Sequence, residues 1–182
     1  LPDDPRRFVR RLHWRHGEYS WAEVDAKQWA EWGVDYLKYD WKPNDIYFMR
    51  EMSEALKKCG RDIVYSISNT APFSDAYTIK ELTQCWRTTG DIRDTWPSIY
   101  SIGFEQQERW AAFHGPGHWG DADMLVVGLV GGWKFTQHFS HLTPDEQYTH
   151  ITLWAMLASP MLIGCDISKI DPFTRALLCN FE

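Results

Sequence analysis

An α/β fold, read as a partial (β/α)8 TIM barrel, is predicted by three observations. Short β-rich runs alternate along the chain with capped helical patterns. The spacing leaves room for right-handed crossovers, which make such strands parallel. Polar, chemistry-bearing residues fall just past strand ends, where barrels build their sites, and Asp40 after the run Tyr36-Leu37-Lys38-Tyr39 is the first. About five strands are legible, short of the eight that close a barrel, so the first strands are expected upstream of Leu1. The predicted division is an irregular segment over 1–19 and a partial barrel over 20–182.

Residues 1–19 are rich in Pro, Asp and Arg and show no period. Ser20 and Glu23 have the spacing of a capping box, in which each side chain satisfies a backbone N–H left free by the helix start. The helix that follows places Trp21, Val24, Trp29 and Trp32 on one arc and stops at Gly33, which suits a left-handed C′ position. A strand over 36–39 comes next. Asn44 is positioned to cap a second helix with Met49, Met52, Leu56 and Cys59 on its apolar face, ending at Gly60. Strand 63–67, a helix over 75–84, a short strand near 86–89 and a helix over 98–113 lead to His118-Trp119. Thr143-Pro144-Asp145-Glu146 is a second capping box, with Tyr148, Ile151, Trp154 and Leu157 or Ala158 predicted inward. Residues 161–164 read as a strand, and Asp171-Pro172 opens a last helix carrying Phe173, Ala176, Leu177 and Leu178.

The 182 residues are enough for one sizeable core. A net charge of −6 gives no broad attraction to phosphate backbones or anionic lipid, so neither nucleic-acid nor membrane partners are expected. Arg6, Arg7, Arg10 and Arg11 read as a solvated end. Eleven tryptophans suit an aromatic core and sugar-stacking surfaces alike. Cys59, Cys85, Cys165 and Cys179 are widely spaced and read as buried free thiols. No Gly-x-Ser-x-Gly elbow or phosphate-cradling loop is present, which argues against an esterase or a nucleotide enzyme.

Two carboxylates, Asp40 and Asp91, each lie just beyond a predicted strand. Lys38 shares a strand face with Asp40 and would keep it ionised, as a nucleophile requires; a structural salt bridge is the alternative. Asp91 follows Gly90, with Asp94 as the local competitor and a turn cap as the alternative role. His114 and His118 stand four apart, but the Gly-Pro-Gly between them cannot hold a helical face, and no calcium-type acidic loop accompanies Asp121 and Asp123. No metal is therefore expected. Ser68 and Asn69 follow the second strand and could bond sugar hydroxyls or form a turn.

Three stretches carry a family resemblance. They are Lys38-Tyr39-Asp40, the run from Trp86-Arg87 through Gly90-Asp91 to Trp96, and the run from Gly115-Pro116-Gly117-His118-Trp119 to Asp123-Met124-Leu125. From about Gly17 onward the chain resembles the α-galactosidase/α-N-acetylgalactosaminidase family of retaining glycoside hydrolases. The resemblance implies strands four to eight of the barrel, Asp40 as nucleophile and Asp91 as acid/base. It also implies Lys38, Arg87 and Asp123 at the sugar with Met124 and Trp119 nearby, a galactoside substrate, no cofactor and a leaning towards an extracytoplasmic setting.

Departures from the family pattern matter for substrate. Trp41-Lys42 stands where animal members place a disulfide cysteine. Ser68 replaces the glutamate of a Cys-Glu-Trp segment and opens room beside the sugar's 2-position. The same mechanism on an α-N-acetylgalactosaminide or a β-L-arabinopyranoside is thus an alternative, and a non-catalytic carbohydrate-binding module is another. The strand-two aspartates that hold the sugar's 4- and 6-hydroxyls in the family, and its β-sandwich, have no counterpart in these 182 residues. Weak or no activity and self-association through uncovered barrel edges are expected of this stretch alone.

Overall fold

The computed structural model describes residues 15–16, 19–40, 45–132 and 136–180. They form two compact units, Leu1–Arg87 with Gly115–Trp119, and Thr88–His114 with Gly120–Glu182.

In the first unit, β1 (Arg15–His16) pairs antiparallel with β2 (Tyr19–Ser20), inside the segment expected to be irregular; residues 1–14 lie outside the described residues. Because Ser20 is held in β2, helix α1 (Ala22–Glu31) starts one residue later than a capping box at Ser20 requires. Trp21 takes the N-cap position without a side-chain bond. Ser20 Oγ accepts only the Ala22 N–H, at 3.3 Å, and Glu23 turns outward to Lys58 at 3.6 Å. The expected tryptophan face is also corrected. Ala22, Asp25 and Ala26 are the buried residues, while Val24 and Trp32 are 53% and 67% exposed. The small inward side chains allow close approach of helix α2 (Ile46–Lys58), against which α1 packs. Gly33 ends α1 with φ +76°, as its position predicts.

Asp45 rather than Asn44, which lies outside the described residues, caps α2 by accepting the Tyr47 N–H at 2.8 Å. Met49, Met52 and Leu56 are buried as the period predicts. Strands β3 (Tyr36–Tyr39), β4 (Val64–Ile67) and β5 (Cys85–Arg87) are parallel. The register opposes Lys38 to Ser66 and Tyr39 to Ile67. The crossovers are α2 and the shorter α3 (Ala76–Leu82). Arg61 bonds Asp35 at 2.6 Å and the Val34 carbonyl at 3.1 Å, tying the entries of β3 and β4 together. Met49, Met52, Tyr65, Ile67, Ile79 and Trp86 are the most deeply buried large apolar residues of this layer.

The second unit corrects the continuous helix expected over 98–113. Helix α4 (Trp96–Tyr100) gives way to a π-helical segment, Ser101–Glu105, and a 3-10 segment, Glu108–Phe113. The π-helical segment also makes a close packing contact. Gly103 lies so close to helix α5 (Pro144–Met156) that a Cβ there would stand 2.3 Å from Leu153 Cδ2. Strand β6 (Trp119–Asp121) spans the unit boundary. Strands β7 (Leu129–Val130) and β8 (His138–Phe139) pair antiparallel. The Thr143 capping box of α5 is formed, with Thr143 N donating to Glu146 Oε2 at 2.7 Å and Glu146 N to Thr143 Oγ1 at 3.3 Å.

The inward face of α5 is Gln147, His150 and Trp154 with Ile151 beside them, whereas Tyr148, expected inward, is 49% exposed. The run 161–164 contributes a single parallel bridge, Leu125 to Ile163, rather than a strand. Gly164 closes it, since a Cβ would meet the Leu125 carbonyl at 2.8 Å. Helix α6 (Pro172–Leu178) is capped by Asp171, which accepts from Phe173 N and Thr174 N. The four cysteines are free as expected, but only Cys85 is buried. No described helix is long and apolar enough to cross a membrane.

His150 is fully buried, and its Nε2 accepts the Val126 N–H at 3.1 Å. Burial, partly opposed by a backbone bond at Met124, pulls its pKa down to about 4. The ring is therefore neutral in the fold but charges below about 6.5 when unfolded, so its contribution is present above that pH and lost as pH falls towards 4. Between pH 7 and 5 this linkage costs about 2 kcal/mol. Urea unfolding at the two pH values should show the drop. His150→Gln, which keeps an acceptor for Val126, should remove that share, and an unchanged pH dependence would refute the assignment.

Candidate active site

In the first unit, β3 delivers Lys38 and Asp40 to the same face, because residues two apart on a strand point the same way. Lys38 is half-buried and Asp40 exposed. The β3–β4 register then brings Ser68 beside Asp40. Ser68 N donates to the Tyr39 carbonyl at 2.9 Å, and Ser68 Oγ donates to Asp40 Oδ1. Ser68, expected at the sugar, is an orienting partner of the carboxylate. Arg87 ends β5 with a buried guanidinium, and its carbonyl accepts the Ala71 N–H at 2.9 Å. Burial pushes the phenols of Tyr39 and Tyr65 upward, with Tyr39 adding to the shift of Tyr65, so both stay neutral on the other face of these strands.

Trp119 opens β6 by donating its N–H to Gln84 O at 2.9 Å, level with the start of β5, and the register sets that start level with Ser66 and Lys38. A cleft lined by Ser53, Leu56, Arg61, Ile63, Leu82 and Gln84 opens at the amino end of β4, away from Ser68.

In the second unit, Asp91 is exposed, two residues beyond the buried Thr89. Thr88 is fixed by donating its N–H and Oγ1 to the Asp121 carbonyl at 3.0 and 3.1 Å. Asp123 holds the neighbouring backbone. One carboxylate oxygen accepts Ile92 N–H and the other Met124 N–H, both at 2.8 Å. Its own N–H donates to Asp121 Oδ1 at 2.7 Å, and its carbonyl accepts Trp154 Nε1 at 2.7 Å. Asp123, buried at φ +82°, thus pins the residue after Asp91, a role sequence reasoning missed. Met124, its neighbour, is 40% exposed.

Asp94, the competitor of Asp91, has a different occupation. Its Oδ2 accepts from His141 N at 2.9 Å and meets His138 Nε2 at 3.0 Å and His141 Nδ1 at 2.8 Å. Burial opposes its ionisation, yet the bonds from His141 and His138 outweigh this and hold its carboxyl below the usual range. The histidine pair at 114 and 118 behaves as its sequence predicts. Gly115 and His118 exchange backbone bonds of 2.9 and 2.8 Å across a tight turn, so no helical face presents the two rings.

Parallel strands joined by outer helices, with polar groups gathered at the carboxyl ends of β3 to β5, define a partial α/β barrel of the TIM class. A solved GH27 β-L-arabinopyranosidase of Geobacillus stearothermophilus matches it with a TM-score of 0.81 and 34% identity, over 87% of this chain and 39% of that one. The family model described as alpha galactosidase A matches residues 13–182, and the chain belongs to that family. Alpha-galactosidase 2 of Arabidopsis thaliana is 40% identical over 170 residues, covering 91% of this chain and 40% of the relative. Alpha-N-acetylgalactosaminidase of Gallus gallus is 36% identical over 172 residues, 87% of this chain and 40% of that protein. The chain thus spans about two fifths of the length of these relatives.

Proposed function

We propose that this chain carries the catalytic carboxylates of a retaining glycosidase acting on terminal α-D-galactosyl residues. Asp40 is the nucleophile and Asp91 the acid/base. Asp40 attacks the anomeric carbon and forms a glycosyl ester while Asp91 gives its proton to the departing oxygen. Asp91 then takes a proton from water, which displaces Asp40 and restores the starting configuration. The two carboxyl groups must come within about 5 Å of each other for this chemistry. Lys38 supports the charge on Asp40, Arg87 contacts the sugar, and Asp123 both positions Ile92 beside Asp91 and borders the sugar with Met124.

The observation that carries this reading is the exit of β3, where Asp40 emerges with Ser68 Oγ fixed on its Oδ1. Ser68 also motivates a second substrate. It is small and 94% buried from solvent contact, being 6% exposed, and a short side chain beside the nucleophile tolerates other groups at the 2-position. The similarity to a β-L-arabinopyranosidase makes that sugar the runner-up.

The test is covalent labelling with mechanism-based inactivators of galactose, N-acetylgalactosamine and arabinopyranose configuration, followed by peptide mapping. The added mass is expected on Asp40, fastest with the galactose reagent. The comparison is repeated with a longer chain that matches the relatives in length. A label on a different carboxylate, or none in either folded protein, would overturn the assignment.

A further inference from the structure

Within the second unit, Asp94, His138 and His141 converge so that one ligand atom from each lies within 4.8 Å of the others. We propose that these three residues form a binding site for a divalent first-row transition ion of the zinc class, stapling the segment after Asp91 to the β7–β8 hairpin. The inference does not rest on the proposed glycosidase reaction.

The distances are those of a ligand set. Two donors at about 2.0–2.1 Å from a tetrahedral zinc stand about 3.3 Å apart. Asp94 Oδ2 lies 3.0 Å from His138 Nε2 and 2.8 Å from His141 Nδ1, so outward shifts of a few tenths of an ångström admit the ion. The two rings are stacked, centroids 4.5 Å apart and 29° from parallel, and each presents one nitrogen to the same Asp94 oxygen.

The orientation of His138 is the second observation. Its Nδ1 lies 2.9 Å from the Thr136 carbonyl while its Nε2 faces Asp94. A neutral imidazole has a single N–H. With Nδ1 turned to Thr136, Nε2 is the nitrogen presented to an ion, which would take the place of the proton that otherwise joins the ring to Asp94. A backbone carbonyl holding the far nitrogen is the usual outer support of a metal-bound histidine. Two imidazoles and one carboxylate favour zinc, copper, nickel or iron over calcium or magnesium. Side-chain exposures of 17% for Asp94, 34% for His138 and 67% for His141 leave a path for the ion and a position for water.

The experiment titrates the chain with zinc against a chromophoric chelator, and with cobalt(II) to read the ligands by absorption. One equivalent of zinc should bind, with the melting temperature rising as it does, while calcium and magnesium leave both unchanged. His138→Gln and His141→Gln keep an N–H for Asp94 but remove the ring nitrogen. Each should weaken zinc at least about 10-fold, the double variant should abolish uptake, and far-ultraviolet circular dichroism should stay native. The cobalt spectrum should lack thiolate charge transfer. No saturable uptake by the parent chain would overturn the proposal. Uptake unchanged in the double variant would do the same, as would thiolate bands assigning the ion to Cys59, Cys165 or Cys179.

Discussion

Asp40→Asn is expected to lower turnover of an aryl α-galactoside by about four orders of magnitude or more while leaving galactose affinity within a few-fold. An amide is a far weaker nucleophile than a carboxylate but nearly the same size, so binding survives where bond formation fails. Asp91→Asn should give a different pattern. Loss of general acid catalysis costs about 10²–10⁴-fold with a poor leaving group, and much less when the leaving group departs without a proton. Rates with a series of aryl leaving groups of graded acidity separate the two roles. If both variants fell equally across the series, the assignment of nucleophile and acid/base would fail. If Asp40→Asn lost galactose affinity along with turnover, Asp40 would be a binding residue instead. In a chain of the relatives' length, a protein that only binds sugar would show no turnover before substitution and unchanged affinity in both variants.

Trp154→Ala should be the most destabilising single change in the second unit, at about 3–5 kcal/mol. Trp154 is fully buried among Ile99, Ile102, Leu125 and Val127, and its ring meets His150 edge-on at 4.2 Å. Removing it leaves a cavity and also strips the indole donor from the Asp123 carbonyl. Trp154→Phe separates the two effects, since it fills most of the space but cannot donate. Its cost should be about 1–3 kcal/mol. Amide exchange at Ile92 should speed up in the Phe variant, because Asp123 grips that N–H. Urea denaturation with residue-resolved exchange checks both figures. A Phe variant within 0.5 kcal/mol of the parent, roughly the noise for surface changes, would mean the indole bond contributes nothing measurable.

The barrel core from β3 to β5 was legible because its signals are local. Tyr36-Leu37-Lys38-Tyr39 is short and runs directly into the charged Asp40, and Met49, Met52 and Leu56 keep a helical period. Thr143 and Asp171 announced their helices through side chains that bond within three residues. The face of α1 was misread because tryptophan was weighted as core, whereas contact with α2 selected Ala22 and Ala26. The approach of Gly103 to Leu153 within the π-helical segment joins distant parts of the chain, which no local pattern encodes.

The same contrast holds at the site. Asp40 and Asp91 stood out because each follows a strand, and Ser68 because it follows the next one. The clamp of Asp123 on Ile92 spans 31 residues and was invisible to spacing. His138 and His141 carry a readable His-x-x-His interval, but their carboxylate lies 44 residues before His138. Trp119, expected near the sugar through its motif, opens the strand that ends at Asp121.

The left-handed backbone of Asp123 narrows what evolution or an engineer can place there. Glycine and asparagine accept that torsion, but neither supplies two anionic oxygens for Ile92 and Met124. Glutamate supplies the charge, but its extra methylene pushes the carboxylate past both amides and its longer side chain is less at home at positive φ. One torsion angle and one pair of amide donors thus leave aspartate as the sole occupant that satisfies both demands, and any lineage that exchanges it must first rebuild the loop around it.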